Sequence, residues 1–233
     1  MEESMRPPYL LLDIDGVLIP FPDADGATPA SHVRHDVVPT GRSADDPVTI
    51  WLNPDHGPML MDVIRTGLIT PIWCTSWRQD AATLIGPLLD LPPLPHVGLP
   101  RPDITTSHPN GYLWKRDHVD AWLGDEPAVW IDDDFTGLDH EWSAERVARG
   151  LPTLLIQPNP RVGIEPQHLA EISAWATEVS ALRASVSSPS SEMRTRKAID
   201  DAFTEEPAPE AQGTSVPPAK PMCPGRLKHP PGT

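Results

Sequence analysis

The chain has 233 residues and a formal net charge of −15, from 33 acidic against 18 basic side chains. That balance excludes general nucleic-acid coating, which needs a basic footprint. Two cysteines, Cys74 and Cys223, are too few for a disulfide framework or a Cys-based zinc site. The N-terminus carries Glu2 and Glu3 ahead of an apolar run broken by Asp13 and Asp15, a poor secretory signal, and no run approaches the roughly 20 apolar residues of a membrane span. A soluble cytoplasmic protein without membrane contact is the expectation.

Tyr9 to Leu12 is apolar at every position and reads as a parallel strand buried on both faces. Residues 20–50 form a small insert after it. Pro20 to Pro47, rich in Pro, Gly, Asp and His, reads as loop, and Val48 to Leu52 as a short strand. Asn53-Pro54 looks like an N-cap followed by Pro at the first helical position, with Met59, Leu60, Val63 and Ile64 as the apolar face and Gly67 as the stop. Leu68 to Cys74 is a second parallel strand, Asp80 to Leu89 a helix, Pro92 to Pro102 extended, and Leu113 to Leu123 a helix. Ala128 to Ile131 and Leu151 to Ile156 are further strands, and Pro166 to Leu182 is an amphipathic helix. Alternating strands and helices predict an α/β domain over residues 1–182, with a doubly wound parallel sheet. From Arg183 to Thr233, Ser, Pro, Glu and Ala dominate without a period, which predicts a disordered tail, with Glu192 to Phe203 as a marginal helix.

In open parallel sheets, ligands sit beyond the carboxyl ends of the strands. Three of the predicted strands end in polar residues there: Asp13-Ile14-Asp15-Gly16, Thr75-Ser76 and Asp132-Asp133-Asp134. Lys115 opens a helix between the last two. Carboxylates brought together repel one another, and a hard cation such as Mg²⁺ relieves that repulsion while accepting their oxygens.

This ordered set resembles the four motifs of the haloacid dehalogenase superfamily: an apolar strand followed by D-x-D-G (Asp13, Asp15, Gly16), a Thr or Ser after a strand (Thr75), a Lys (Lys115), and an acidic pair after a strand (Asp132, Asp133). The stretches LLLDIDGVL, WLNPDHGPML, PIWCTSW, AVWIDDD and TLLIQPNPRVGI are similar to the phosphatase-like domains first described within bacterial "Swiss army knife" RNA-repair proteins and to their stand-alone relatives. The resemblance implies Mg²⁺-dependent phosphate-ester hydrolysis. Asp13 would attack phosphorus, and Asp15 would protonate the leaving oxygen and lend its backbone carbonyl to the metal. Thr75 and Lys115 would hold the phosphoryl oxygens, and Asp132 and Asp133 would complete the metal site. Gly16, Ser76 and Trp77 would face the substrate, a phosphorylated small molecule or a nucleic-acid end.

Competing readings attach to several of these residues. Asp23-Ala24-Asp25-Gly26 repeats D-x-D-G, but Pro20 and Pro22 stand where an apolar strand is required, so it reads as a turn. Ser76 competes with Thr75 for the phosphate, and Thr75 also fits a helix cap. Asp134 fits an N-cap better than a ligand, and Asp139 is a remote candidate. His56 could line the site, although a lone His is usually structural. Trp77 could stack a nucleobase or simply pack over the site. Trp122, Trp130 and Trp175 are expected in the core, as is Cys74. A non-catalytic interaction module, with the Pro-rich tail binding a protein partner, is the alternative of a different class.

Overall fold

The computed structural model describes residues 6–101 and 106–186. In chain order its elements are β1 (Tyr9–Leu12), β2 (Val33–Val37), β3 (Val48–Leu52), α1 (His56–Ile64), β4 (Thr70–Trp73), α2 (Arg116–Leu123), β5 (Ala128–Ile131), α3 (Gly137–Ala148), β6 (Thr153–Ile156) and α4 (Pro166–Val186). Between β4 and α2, Ala81–Ile85 forms a π-helical turn and Gly86–Leu89 a 3₁₀ turn.

β4, β1, β5 and β6 pair in that order, all parallel. The two inner strands, β1 and β5, are buried at every residue, as their unbroken apolar sequence requires. Pro71 is tolerated because β4 lies at an edge, where its pairing beyond β1 reduces to one bridge between Trp73 and His96. Strand alternation divides the core. Leu10, Leu12, Val129 and Ile131 pack with Leu60 and Val63 of α1 and Leu169, Ile172 and Ala176 of α4. Leu11, Ala128 and Trp130 pack with Val119 and Leu123 of α2, and with Trp142 of α3 alongside. Helices therefore flank the parallel sheet on both faces. None of the described helices is long and apolar enough to cross a membrane.

Several expected bounds shift. β2 lies within the stretch expected as loop and pairs antiparallel with β3. Its pattern is mostly exposed, so it carries no hydrophobic alternation to betray it. α1 begins at His56, because the Asn53 side chain and carbonyl accept the backbone N–H groups of Asp55 and His56 in a turn of their own. α2 begins at Arg116, after a turn held by Asp139. The stretch expected as one helix over Asp80–Leu89 is instead the π and 3₁₀ pair. α4 continues past Leu182 to Val186, and Arg183 donates to the Arg6 carbonyl at 2.6 Å. The rest of the expected tail, from residue 187 on, lies outside the described residues. Trp130 is buried, and Trp175 packs at the core margin. Trp122, however, is 39% exposed and tilts against Tyr9 with ring centroids 4.7 Å apart.

His56 is 1% exposed and meets His32 edge-on, with ring centroids 5.6 Å apart. Burial, aided by His32, lowers its pKa to about 4. The folded protein thus holds His56 neutral, while the unfolded chain takes up a proton near the ordinary value of 6.5. The stability this provides is present above pH 6.5 and lost as pH falls toward 4, by about 3 kcal/mol at most. In denaturant unfolding at pH 7 and pH 4.5, His56→Gln should show a smaller acid loss than the parent. An unchanged acid loss would assign it to other groups.

Candidate functional site

Register brings the candidate residues together. Leu12 lies opposite Trp73 on one side and Ile131 on the other. The ladder runs one step further: Cys74 N–H donates to Leu12 O at 2.9 Å, and Asp13 N–H to Ile131 O at 3.2 Å. Asp13, Thr75 and Asp132 therefore leave three adjacent strands at the same edge of the sheet, and all three are buried.

The chain then turns sharply. Leu18 and Ile19 both donate to the Ile14 carbonyl, at 2.8 and 2.9 Å, and Gly16 takes φ +72°. This turn separates two carboxylates that a continuing strand would have kept on one face. Asp15 accepts the Trp77 indole N–H at 3.0 Å and the Ser76 hydroxyl at 3.4 Å. Asp13 instead joins Asp132 and Asp133, whose oxygens lie within 4.8 Å of one another. Lys115, which caps α2, is also buried and sends its ammonium between two of them, 2.5 Å from Asp13 Oδ2 and 2.7 Å from Asp132 Oδ2. Asp133 sits over Gly16 so closely that a Cβ there would lie 2.2 Å from its carboxyl carbon.

Burial disfavours the Lys115 ammonium, but the carboxylates of Asp13 and Asp132 outweigh it and hold the group charged. Burial raises the Asp132 carboxyl, with Lys115 pulling the other way. Asp133 rises to about 6 through burial first and the Asp13 charge second. Asp15 is raised by burial and by Asp13, against the hydrogen bond from Trp77. Three clustered carboxylates with one ammonium among them leave a deficit of positive charge. Asp13, Asp132 and Asp133 together fit a metal ion, whose charge would reverse these upward shifts.

Thr75 completes this end of the sheet, and the other candidates fall away from the acid cluster. Thr75 is buried at the end of β4, and its hydroxyl accepts the Trp77 backbone N–H at 3.4 Å. Asp134 accepts His108 Nε2–H at its backbone carbonyl, 2.8 Å, and the cap of α3 is Thr136 instead. Asp139 stands apart from the acid cluster. It closes the capping box with Thr136 and accepts the Leu113 N–H at 3.1 Å. His56 is packed at the start of α1 beside His32 and Gly163. The second D-x-D-G is an exposed turn in which the Asp23 side chain accepts the Asp25 and Ala27 N–H groups. Cys74 is buried.

Two groups went unseen in the sequence. Gln157, just past β6, donates to the carbonyls of Asp133 at 2.9 Å and Phe135 at 3.1 Å and so fixes the acidic loop. The rule that singled out the ends of the other strands would have found it. Arg78, His96 and Arg101 line a cavity beside Ser76 and Trp77, and nothing in their spacing announces it.

No protein-family model, curated protein or solved structure matches the chain.

Gly16→Ala tests the acid cluster. A Cβ at that position both displaces the Asp133 carboxylate and burdens a left-handed backbone, costing about 1–3 kcal/mol. The parent should melt higher in millimolar Mg²⁺ than in chelator, while the variant should melt lower and respond weakly to the metal. An undiminished metal response in the variant would place the ion elsewhere.

Proposed function

We propose that this chain is a Mg²⁺-dependent phosphohydrolase of the haloacid dehalogenase type, with Asp13 as the covalent nucleophile. The observation that carries the reading is the division of labour between the first two acids: Asp13 is buried against Lys115 in the acid cluster, while Asp15 is drawn away onto Trp77 and Ser76. The strand order β4-β1-β5-β6, flanked by helices on both faces, suits the doubly wound sheet of that superfamily.

An oxygen of Asp13 attacks phosphorus, and the bond from phosphorus to the leaving oxygen breaks. Asp15, whose raised pKa favours its protonated form, gives that oxygen a proton. It then takes a proton from the water that attacks the aspartyl-phosphate, and Asp13 is released as the carboxylate. Lys115 and the Thr75 hydroxyl hold the phosphoryl oxygens as charge redistributes over them. Mg²⁺ held by Asp13, Asp132, Asp133 and the Asp15 carbonyl would neutralise phosphoryl charge and fix the approach of the nucleophile. Gln157 keeps the Asp132–Asp133 loop in place for that purpose.

Asp13→Asn should lose turnover of an aryl phosphate by more than ~10³-fold while its circular dichroism stays that of the parent, because the amide cannot form the acyl-phosphate. Chelator should stop the parent enzyme, Mg²⁺ should restore it, and Ca²⁺, with its looser coordination, should restore it poorly. Turnover by Asp13→Asn at the parental rate would sink the mechanism.

A further inference from the structure

A cavity of about 610 Å³ opens beside Asp15. Its lining includes Ser76 and Trp77, the two residues that hold the Asp15 carboxylate. If Asp15 protonates the leaving oxygen, the leaving group emerges on its side, and this cavity is where the rest of the substrate lies. The volume suits a leaving group of nucleotide size or smaller.

Arg34, Arg42, Arg65, Arg116, Arg146 and Arg183 each lie within ion-pair distance of a carboxylate, as expected in a protein of net charge −15. Arg6, Arg78, Arg101, Arg149 and Arg161 form no ion pair among the described residues, and of these Arg78 and Arg101 line this cavity. The one acid among the described lining residues, Asp80, is engaged by the N–H of Thr40 at 2.9 Å and its hydroxyl at 2.7 Å. Arg78 also holds a left-handed backbone, φ +54°, and its Nε is buried without a hydrogen-bond partner. Such strain and such an orphaned donor are rare, and they concentrate where a ligand completes the site. The adjoining π-helical turn at Ala81–Ile85 is another feature common beside functional sites.

We infer that this cavity selects phosphomonoesters whose leaving group carries a second anionic group, held by the guanidinium groups of Arg78 and Arg101. Planar guanidinium groups match phosphate oxygens in a paired geometry that water or a neutral ligand does not. The inference rests on the assignment of Asp15 as the acid. A second phosphate could belong to a small bisphosphate or to a nucleotide, and Trp77 offers a ring surface only the second would use.

The test compares an alkanediol bisphosphate, a nucleoside bisphosphate and phenyl phosphate in the parent, Arg78→Gln, Arg78→Lys and Arg101→Gln. The parent should favour the bisphosphates over phenyl phosphate in kcat/KM. Arg78→Gln should shrink that ratio roughly 10- to 100-fold, the scale of a charged hydrogen bond, mainly through KM, and Arg78→Lys should recover part of it. Arg101→Gln, an exposed position, should shrink it in the same sense and guards against a folding defect at Arg78. A higher ratio for the nucleoside compound assigns the nucleotide source, and equal ratios assign the small bisphosphate. A ratio untouched by both Gln variants overturns the inference. Calorimetric titration of the alkanediol bisphosphate into Asp13→Asn, with and without Arg78→Gln, separates the two levels. Binding that depends on Arg78 upholds the cavity assignment even if the parent hydrolyses none of the esters, in which case only the phosphohydrolase reading fails. Equal binding, or no binding, in the two proteins overturns the cavity assignment.

Discussion

The buried ammonium of Lys115 between Asp13 and Asp132 is the contact on which the rest of the site is arranged. Its three members come from the first residue past β1, the cap of α2 and the first residue past β5, so it exists only if strand register and helix placement are both correct. A buried ion pair is weak evidence for stability, because desolvating the charges opposes their attraction. Leucine or methionine of similar volume would fill the same space without that opposition. Placing such charges in the interior makes sense where they act on a ligand, and the unequal count of carboxylates and ammonium points to a cationic one.

The sheet supplies this geometry with little elaboration. Parallel strands in register end together, so polar residues directly after them converge without long loops. The turn after Asp13 adds the second requirement: it gives two carboxylates, two residues apart, different surroundings. Asp13 meets an ammonium, while Asp15 meets an indole N–H and a hydroxyl in a partly buried niche. Burial, with the Asp13 charge beside it, raises the proton affinity of Asp15 despite those hydrogen bonds, which is the property an acid placed next to a nucleophile requires.

Much of this was legible in the sequence, and the exceptions have physical reasons. β3 and β5 run over the expected residues because each is bounded by Pro, Asn or Asp and is strongly apolar within. β2 was missed because Val-Arg-His-Asp-Val pairs along an exposed edge, where burial imposes no pattern. α1 and α2 both start later than their apolar spacing predicts. At α1, local hydrogen bonds from Asn53 compete with the helix, and at α2 a distant carboxylate, Asp139, holds the preceding turn. Asp13, Thr75, Lys115 and Asp132 could be picked out because each follows an apolar strand or opens a helix. Thr136-x-x-Asp139 carries the local spacing of a capping box, but the hydrogen bond that ties Asp139 to Leu113, 26 residues away, leaves no local signature.

Two cations that are partly withdrawn from solvent show how structure and ligand recognition differ in this chain. Arg146 is 1% exposed, and its guanidinium donates to the Thr153 hydroxyl and to the carbonyls of Gly124 and Glu126, with Asp120 at 3.3 Å. Its hydrogen-bonding capacity is used within the fold, where it joins the end of α2 to the starts of β5 and β6. Arg78 is the opposite case. Its backbone is strained, its Nε is buried without a partner, and its neighbours on the cavity wall are Arg101, which has no ion pair among the described residues, and an acid already engaged elsewhere. A cation satisfied on all sides needs no ligand to explain it. One held in an unfavourable conformation with an unused donor does, and because it shares a cavity wall with Ser76 and Trp77, which hold Asp15, the proposed leaving group is the natural source of the missing acceptor.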